Sequence, residues 1–473
     1  MIKTLLLPAF CLLASALLKA ADKPNVLFIL SDDHAYDAVS ALGGTEVRTP
    51  NLDRLARSGA VFTHAYNMGS WSGAVCVASR TMLITGRSVW RANAVYGKKT
   101  EAERAAGRLW PQMMSKAGYA TAMTGKWHIT ADAEKCFDVV KDLRAGMPKD
   151  TKAAYGRPTS PDHDEWSPYD TSLGGYWQGG KHWSEVVGDN AVGFLDAAKG
   201  SARPFFAYVA FNAPHDPRQS PKEYVDLYPR DKIAIPASFQ PEYTHAKAIG
   251  AGKGLRDEDL APFPRTELAV RTHRQEYYAI ITHMDAQIGR ILDALERNGQ
   301  AKDTWIIFTA DHGLAVGRHG LMGKQNMQDH SLRVPFIIRG PGVTAGARLD
   351  APIYLQDAMA TALDIAGAER QPQVEFRSVL PLLKGDLSGR REAIYGGYLE
   401  LQRAVIHDGW KLIAYPKAGV FRLYHLDKDP EELKDLAADP ALRERRTALF
   451  TRLTALQKEL DDKLDLSAMK SLL

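Results

Sequence analysis

Val26-Leu27-Phe28-Ile29-Leu30 runs without a break into Ser31-Asp32-Asp33-His34, and this join of an apolar run to a polar sequel decides the fold. The pattern recurs. Ala120 to Met123 leads into Thr124-Gly125-Lys126-Trp127-His128, Phe205 to Phe211 into Asn212-Ala213-Pro214-His215, and Trp305 to Thr309 into Ala310-Asp311-His312-Gly313. Short, continuously apolar runs of this kind read as strands buried on both faces. Helical patterns separate them, such as Tyr277, Ile281, Ile288, Ile291, Leu292 and Leu295 with Gly299 after the end,. Strands alternating with helices specify an α/β fold, a large, mostly parallel sheet sandwiched by helices. In such sheets sites form beyond the carboxyl ends of the strands, so the four polar sequels converge on one edge.

Asp32, Asp33 and Asp311 bring three carboxylates to that edge. Gathered in one place they require a cation to offset their repulsion, and hard oxygen ligands suit a hard metal. Taken singly, each Asp after a strand is equally a helix cap or a turn former.

Between the two acidic sequels lies Cys76-Val77-Ala78-Ser79-Arg80-Thr81-Met82-Leu83-Ile84-Thr85-Gly86-Arg87. Arg80 follows Cys76 by four residues, so on a helix starting there it returns over the same face. This segment resembles the sulfatase signature, a Cys-x-Pro/Ala-x-Arg core followed by Leu-x-Thr-Gly-Arg. The resemblance extends from Asn25 to about Leu436 and takes in Thr49-Pro50-Asn51-Leu52-Asp53-Arg54-Leu55-Ala56, Arg333-Val334-Pro335-Phe336 and Leu423-Tyr424-His425-Leu426. One departure is Ala78, where proline is usual.

The resemblance implies an alkaline-phosphatase-like fold and hydrolysis of a sulfate ester. It implies that a formylglycine-generating enzyme converts Cys76 to formylglycine, whose hydrate has two hydroxyls on one carbon. A sulfated serine or cysteine would be a stable dead end, whereas the second hydroxyl of the hydrate can expel sulfate. It assigns Asp32, Asp33, Asp311, His312 and Cys76 itself to one calcium ion per chain. It gives Arg80 the task of orienting the hydrate, and Lys126 and Lys324 that of offsetting charge on the transferring group. His215 matches the residue that protonates the leaving alcohol, and His128 the one that helps deprotonate the second hydroxyl. Related phosphate or phosphonate ester hydrolases share the sheet and the metal motifs, and a chain whose Cys76 is never converted would be a non-catalytic glycan binder.

Outside the signature the sequence is less specific. Thr130 to Asn190 is an irregular stretch carrying His163, Trp166, Trp177, His182 and Trp183. Aromatic faces beside polar groups suit a sugar, which points to a sulfated carbohydrate substrate; the same aromatics could equally pin down a long loop. The chain has three cysteines, Cys11, Cys76 and Cys136. Cys76 and Cys136 could pair as a disulfide in an exported protein, but the signature around Cys76 argues against it.

Residues 1–21 have the charge, apolar run and small-residue end of an export signal, placing the mature chain in the periplasm or outside the cell with no membrane span. Removal of Lys3 and Lys19 with that signal takes the formal charge from +4 to +2. A balanced surface of this kind argues against nucleic acid as a partner. Residues 22–385 read as the catalytic domain. Residues 386–473 read as a smaller subdomain, with antiparallel strands at Ile394 to Tyr398, Arg403 to His407 and Lys411 to Tyr415, then a long helix presenting Leu442, Leu449, Leu453, Leu456 and Leu460.

Overall fold

A computed structural model describes residues 23–149, 151–162 and 164–473. The expected export signal at residues 1–21, Cys11 and His163 lie outside the described residues. No helix among the described residues is long and apolar enough to cross a membrane.

Eight strands form the central sheet: β1 (Asn25–Ser31), β2 (Ala60–Phe62), β3 (Ala120–Lys126), β4 (Val139–Arg144), β5 (Phe205–Ala210), β6 (Thr304–Ala310), β7 (Phe336–Arg339) and β8 (Ala347–Leu349). Their order across the sheet is β8-β2-β7-β6-β1-β5-β3-β4. β6, β1, β5, β3 and β4 run parallel, and only β7 runs against its neighbours. The sheet is therefore mostly parallel, as the alternation of strands and helices requires.

β1 shows why the sheet needs two covers. Val26, Phe28 and Leu30 point to one side, into a cluster with Trp110, Met113 and Tyr208. Leu27 and Ile29 point to the other, against Ile280, Met284, Ile288 and Ile291. Those isoleucines belong to a 31-residue helix, Glu267–Arg297, which at 1.5 Å per residue is about 46 Å long. The helix begins at Glu267, ten residues before Tyr277, and Ala269 and Val270 continue its buried face toward the N-terminus.

Register then fixes where the polar sequels go. Ser31 pairs with Ala310, Leu30 with Ala210, and Gly125 with Ala210. The next residues of all four strands therefore emerge at one level on one edge. Lys126 is itself the last residue of β3, so the strand extends three residues past the apolar run.

The C-terminal sheet has a fourth antiparallel strand, Val420–His425, beside the three expected ones. This strand carries the Leu423-Tyr424-His425 motif, whose alternation is weak because Arg422 interrupts it. A further short strand, Gly69–Ser70, joins the sheet in parallel with Gly397-Tyr398. Gly69 has φ +92°, and a Cβ there would sit 1.9 Å from the Gly397 carbonyl oxygen, so only glycine permits the approach. The terminal helix, Arg443–Glu459, buries Leu449, Phe450 and Leu453 against this sheet, and Leu442, Leu456 and Leu460 flank them partly buried.

The stretch from Thr130 to Asn190 is more ordered than its composition indicates. It supplies the edge strand β4 and the first half of a 16-residue helix, Trp183–Ala198. Val139 and Leu143 of β4 are exposed, which is why this strand lacks the apolar signature of the others.

Candidate active site

Cys76 is the second residue of the helix Val75–Thr85, all eleven residues of which are buried. The helix's Leu83 and Ile84 pack toward the central sheet and its Val75 and Met82 toward the C-terminal sheet, so it has no solvent face even though it carries Ser79, Arg80, Thr81 and Thr85,. Only 3% of Cys76 is exposed. Its Sγ lies 3.3 Å from His128 Nδ1. Burial pushes the thiol up, but Lys126 and Lys324, with hydrogen bonds from His128 and His312, outweigh it and hold Cys76 well below the ordinary thiol range. Cys76 and Cys136 are both free. The Cys136 thiol donates to the Asp132 carbonyl oxygen, and burial raises it to about 12, so it is a buried, inert group.

Asp32, Asp33, Asp311 and His312 offer ligand atoms within 4.8 Å of one another, and Asp32, Cys76 and His312 form an overlapping group. All are buried. Burial and the neighbouring Asp311 push the Asp32 carboxyl well up, against the pull of Lys126. Burial likewise raises Asp33, against Lys324 and His312. Burial opposes ionisation of Asp311 too, but His312, Arg80 and Lys126 together outweigh it and hold that carboxyl far below its usual range. Asp32 Oδ1 is buried without a hydrogen-bond partner, and His312 Nε2 lies 3.0 Å from Asp33 Oδ1. An unpartnered buried oxygen beside two other carboxylates fits a divalent cation, which would take up its spare lone pairs and offset the repulsion.

Cations surround this ring. Lys126 Nζ contacts Asp32 Oδ2. Lys324 Nζ lies 2.8 and 2.9 Å from the two Asp33 oxygens and 3.7 Å from Asp257. Arg80 does not reach over Cys76 alone: its Nε donates to Asp311 Oδ2 at 2.9 Å and its Nη1 to the Lys126 carbonyl oxygen at 2.7 Å. Its Nη2 is buried without a partner.

His215 follows β5. Its Nδ1 lies 2.7 Å from the Asp216 carbonyl oxygen, so Nδ1 donates there and Nε2 is left facing Asp33 Oδ2 at 3.8 Å,. Burial, followed by Lys324 and Lys126, holds the imidazole well below its ordinary value.

The site also contains residues that no motif flagged. Asp216 and Asp257 both bind Arg256, and Gln325 donates to Asp257 at 2.7 Å and to the Gly73 carbonyl oxygen at 3.0 Å. Asn67 donates to the Asp311 carbonyl oxygen and accepts from Gly69. Asp216 and Gln325 stand next to His215 and Lys324 in sequence, which was the available signal; Arg256, Asp257 and Asn67 lie in loops with no pattern of their own.

The aromatic residues of the 130–190 stretch are not gathered at the site. His182 is fully buried, caps its helix by accepting from Ser184 N–H, and contacts the Gln219 carbonyl oxygen at 2.9 Å. Trp183 is buried under Arg144 and donates to the Gln178 carbonyl oxygen. Trp166 is buried beside Arg157, which is clamped by Asp164 and Glu276. Trp177 is half-buried against His182. In these positions Trp166, Trp177, His182 and Trp183 pack the loop together; the sequence cannot distinguish a ring that faces a sugar from one that faces the protein, since both need the same aromatic.

Comparison with known proteins agrees with this geometry. The sulfatase family model matches residues 24–368, and the N-sulphoglucosamine sulphohydrolase C-terminal model matches residues 317–459. This chain belongs to the sulfatase family and is a sulfuric ester hydrolase. An arylsulfatase of Clostridium perfringens is 28% identical over 458 residues, covering 89% of this chain and 92% of its own. An N-acetylglucosamine-6-O-sulfatase of Bacteroides thetaiotaomicron is 24% identical, covering 97% and 91%. Among solved structures, a protein in complex with its substrate D-glucosamine-2-N,6-O-disulfate superposes with TM-score 0.74 at 23% identity, covering 94% of this chain and all of that one. A phosphonate monoester hydrolase from Silicibacter pomeroyi superposes with TM-score 0.75 at 21% identity, covering 93% and 96%. Likeness at these identities speaks to the fold alone.

Proposed function

We propose that the chain hydrolyses a sulfate ester on a sulfated carbohydrate and releases inorganic sulfate, with Cys76 matured to formylglycine and calcium held by Asp32, Asp33, Asp311 and His312. The observation that carries this reading is the placement of Cys76. Its sulfur sits at a buried helix start beside His128, within a ring of three aspartates and two lysines.

Formylglycine would supply a hydrated aldehyde as nucleophile, and calcium a Lewis acid for the sulfate oxygens. The protein's own groups do the rest. Lys126 and Lys324, fixed by Asp32 and Asp33, present positive charge where the transferring group gains negative charge. Arg80, held by Asp311 and the Lys126 carbonyl, keeps the helix start in register with that ring. His128 Nδ1 is within reach of the substituent on the residue 76 side chain and can accept its proton. His215, held through Nδ1, presents Nε2 to the leaving oxygen. In the free protein the lysines disfavour a charged His215; an arriving sulfate ester adds negative charge beside it and draws the proton on.

The sugar assignment rests on the glycan-directed relatives and the glucosamine disulfate complex. Residues 22–385 would form the catalytic domain and 386–473 the subdomain, in an exported protein. The phosphonate hydrolase neighbour supports a second reading, because its fold superposes equally well.

The deciding experiment is the mass of the tryptic peptide Ser58–Arg80 after expression with a formylglycine-generating enzyme. A loss of about 18 Da at Cys76, thiol to aldehyde, is expected. With the matured protein, turnover of sulfated glucosamines over phenyl phosphonates supports the sulfatase reading. An unmodified thiol and no turnover would sink it.

A further inference from the structure

A cavity of about 420 Å³ lies beyond the far end of the nucleophile helix, walled by Met68, by Ser88 and the separate helix it opens, Val89–Ala94, by residues 375–377 and 390–393, and by the helix Arg443–Glu459. Roughly 14 Å of helix axis separates Cys76 from Thr85, and Ser88 beyond it lines the cavity, so this space is distinct from the catalytic ring. Five arginines line it: Arg91, Arg377, Arg390, Arg391 and Arg452. Three of them are matched. Arg91 pairs with Glu375, Arg391 with Asp357, and Arg452 with Glu392. The Arg377 and Arg390 guanidiniums have no carboxylate partner among the described residues; that of Arg377 donates only to the Gly389 carbonyl oxygen, at 3.1 Å, while its backbone N–H donates to Asp357. On the floor, Ser88 is 2% exposed and its hydroxyl is buried without a partner. Buried polar groups are normally satisfied, and unmatched guanidinium forks favour a tetrahedral oxyanion.

We propose that this cavity is a second, non-catalytic site for a sulfate group carried on a saccharide, bound by Arg377 and Arg390 with Ser88 at its base. The volume fits one sulfated sugar unit, within the range of small-ligand pockets. The inference goes beyond the catalytic reading and borrows from it only the choice of sulfate as ligand.

The test uses the full chain carrying Cys76→Ala, so that nothing turns over, titrated calorimetrically with inorganic sulfate and with a heparin-derived hexasaccharide. The expected result is a hexasaccharide affinity at least 10-fold tighter than that of inorganic sulfate, reduced at least 10-fold by Arg377→Glu/Arg390→Glu and several-fold by Ser88→Ala. Arginine-dependent binding of inorganic sulfate no weaker than that of the hexasaccharide would overturn the saccharide assignment in favour of a free-anion site. Equal affinity and stoichiometry in the parent and the arginine variant would overturn the site altogether. Arg390→Ala, at an exposed position with no ion pair, replaces the double variant if that variant melts early. Turnover of 4-nitrophenyl sulfate by the matured wild-type sequence reads the catalytic proposal separately, and the arginine variant should leave it unchanged.

Discussion

Arg80 and Asp311 form a fully buried ion pair at 2.9 Å, linking the nucleophile helix to the end of β6. Removing one partner of such a pair strands the other charge, so Arg80→Ala should cost about 3–5 kcal/mol of stability. Arg80→Lys keeps a charge but loses the fork that also reaches the Lys126 carbonyl. It should retain more stability than alanine while lowering kcat/KM on an aryl sulfate. Urea unfolding beside steady-state kinetics checks both, and full activity in Arg80→Lys would refute the positioning role.

For His215 the informative comparison is between leaving groups. A general acid is worth about 10²–10⁴-fold where the departing oxygen is a poor leaving group. His215→Ala should therefore cripple release from a sugar sulfate and barely affect 4-nitrophenyl sulfate, which leaves without help. An equal loss on both substrates would mean that His215 serves another purpose.

Metal binding predicts a thermal shift that depends on the carboxylates. A ligand present at 100 times its Kd stabilises the folded state by about 2.7 kcal/mol, so calcium should raise the Tm of the metal-free protein. Asp311→Asn should abolish that increment. Persistence of the shift in the variant would place the ion elsewhere.

Acid sensitivity follows from His319, buried and in contact with the Glu431 carbonyl oxygen. Burial lowers its pKa from 6.5 to about 4. The unfolded chain therefore binds a proton that the native state refuses. The stability from the neutral ring is complete above pH 6.5 and drains away as pH falls toward 4. His319→Gln should flatten the stability profile across that window, as measured by denaturant unfolding at each pH.

Ile288 lies in the cluster between the long helix and the central sheet with no exposed surface. Truncation to alanine should cost about 2–5 kcal/mol, leaving KM for a small aryl sulfate within twofold. A small change in stability would mean that the helix packs less closely than described.

The central sheet and its catalytic edge were legible in the sequence because one property, burial on both faces, wrote continuous apolar runs whose polar sequels had to surface together. Asp32, Lys126, His215 and Asp311 are each placed by the end of such a run. Asp257 and Arg256 were not legible, since their place depends on a loop meeting Asp216 across a long sequence separation. His182 and Trp183 show the converse limit: their residue types suited a sugar, and tertiary packing put them inside.

The pairing of Gly69-Ser70 with Gly397-Tyr398 sets an order of events during synthesis. A chain that grows from its N-terminus exposes Cys76 more than 300 residues before the strand that closes the sheet beside it is made,. On the proposed conversion of Cys76, the interval between translation of the two segments is the time available for maturation, and slowing elongation before residue 393 should raise the fraction of converted chains, as read by the mass of the residue 76 peptide.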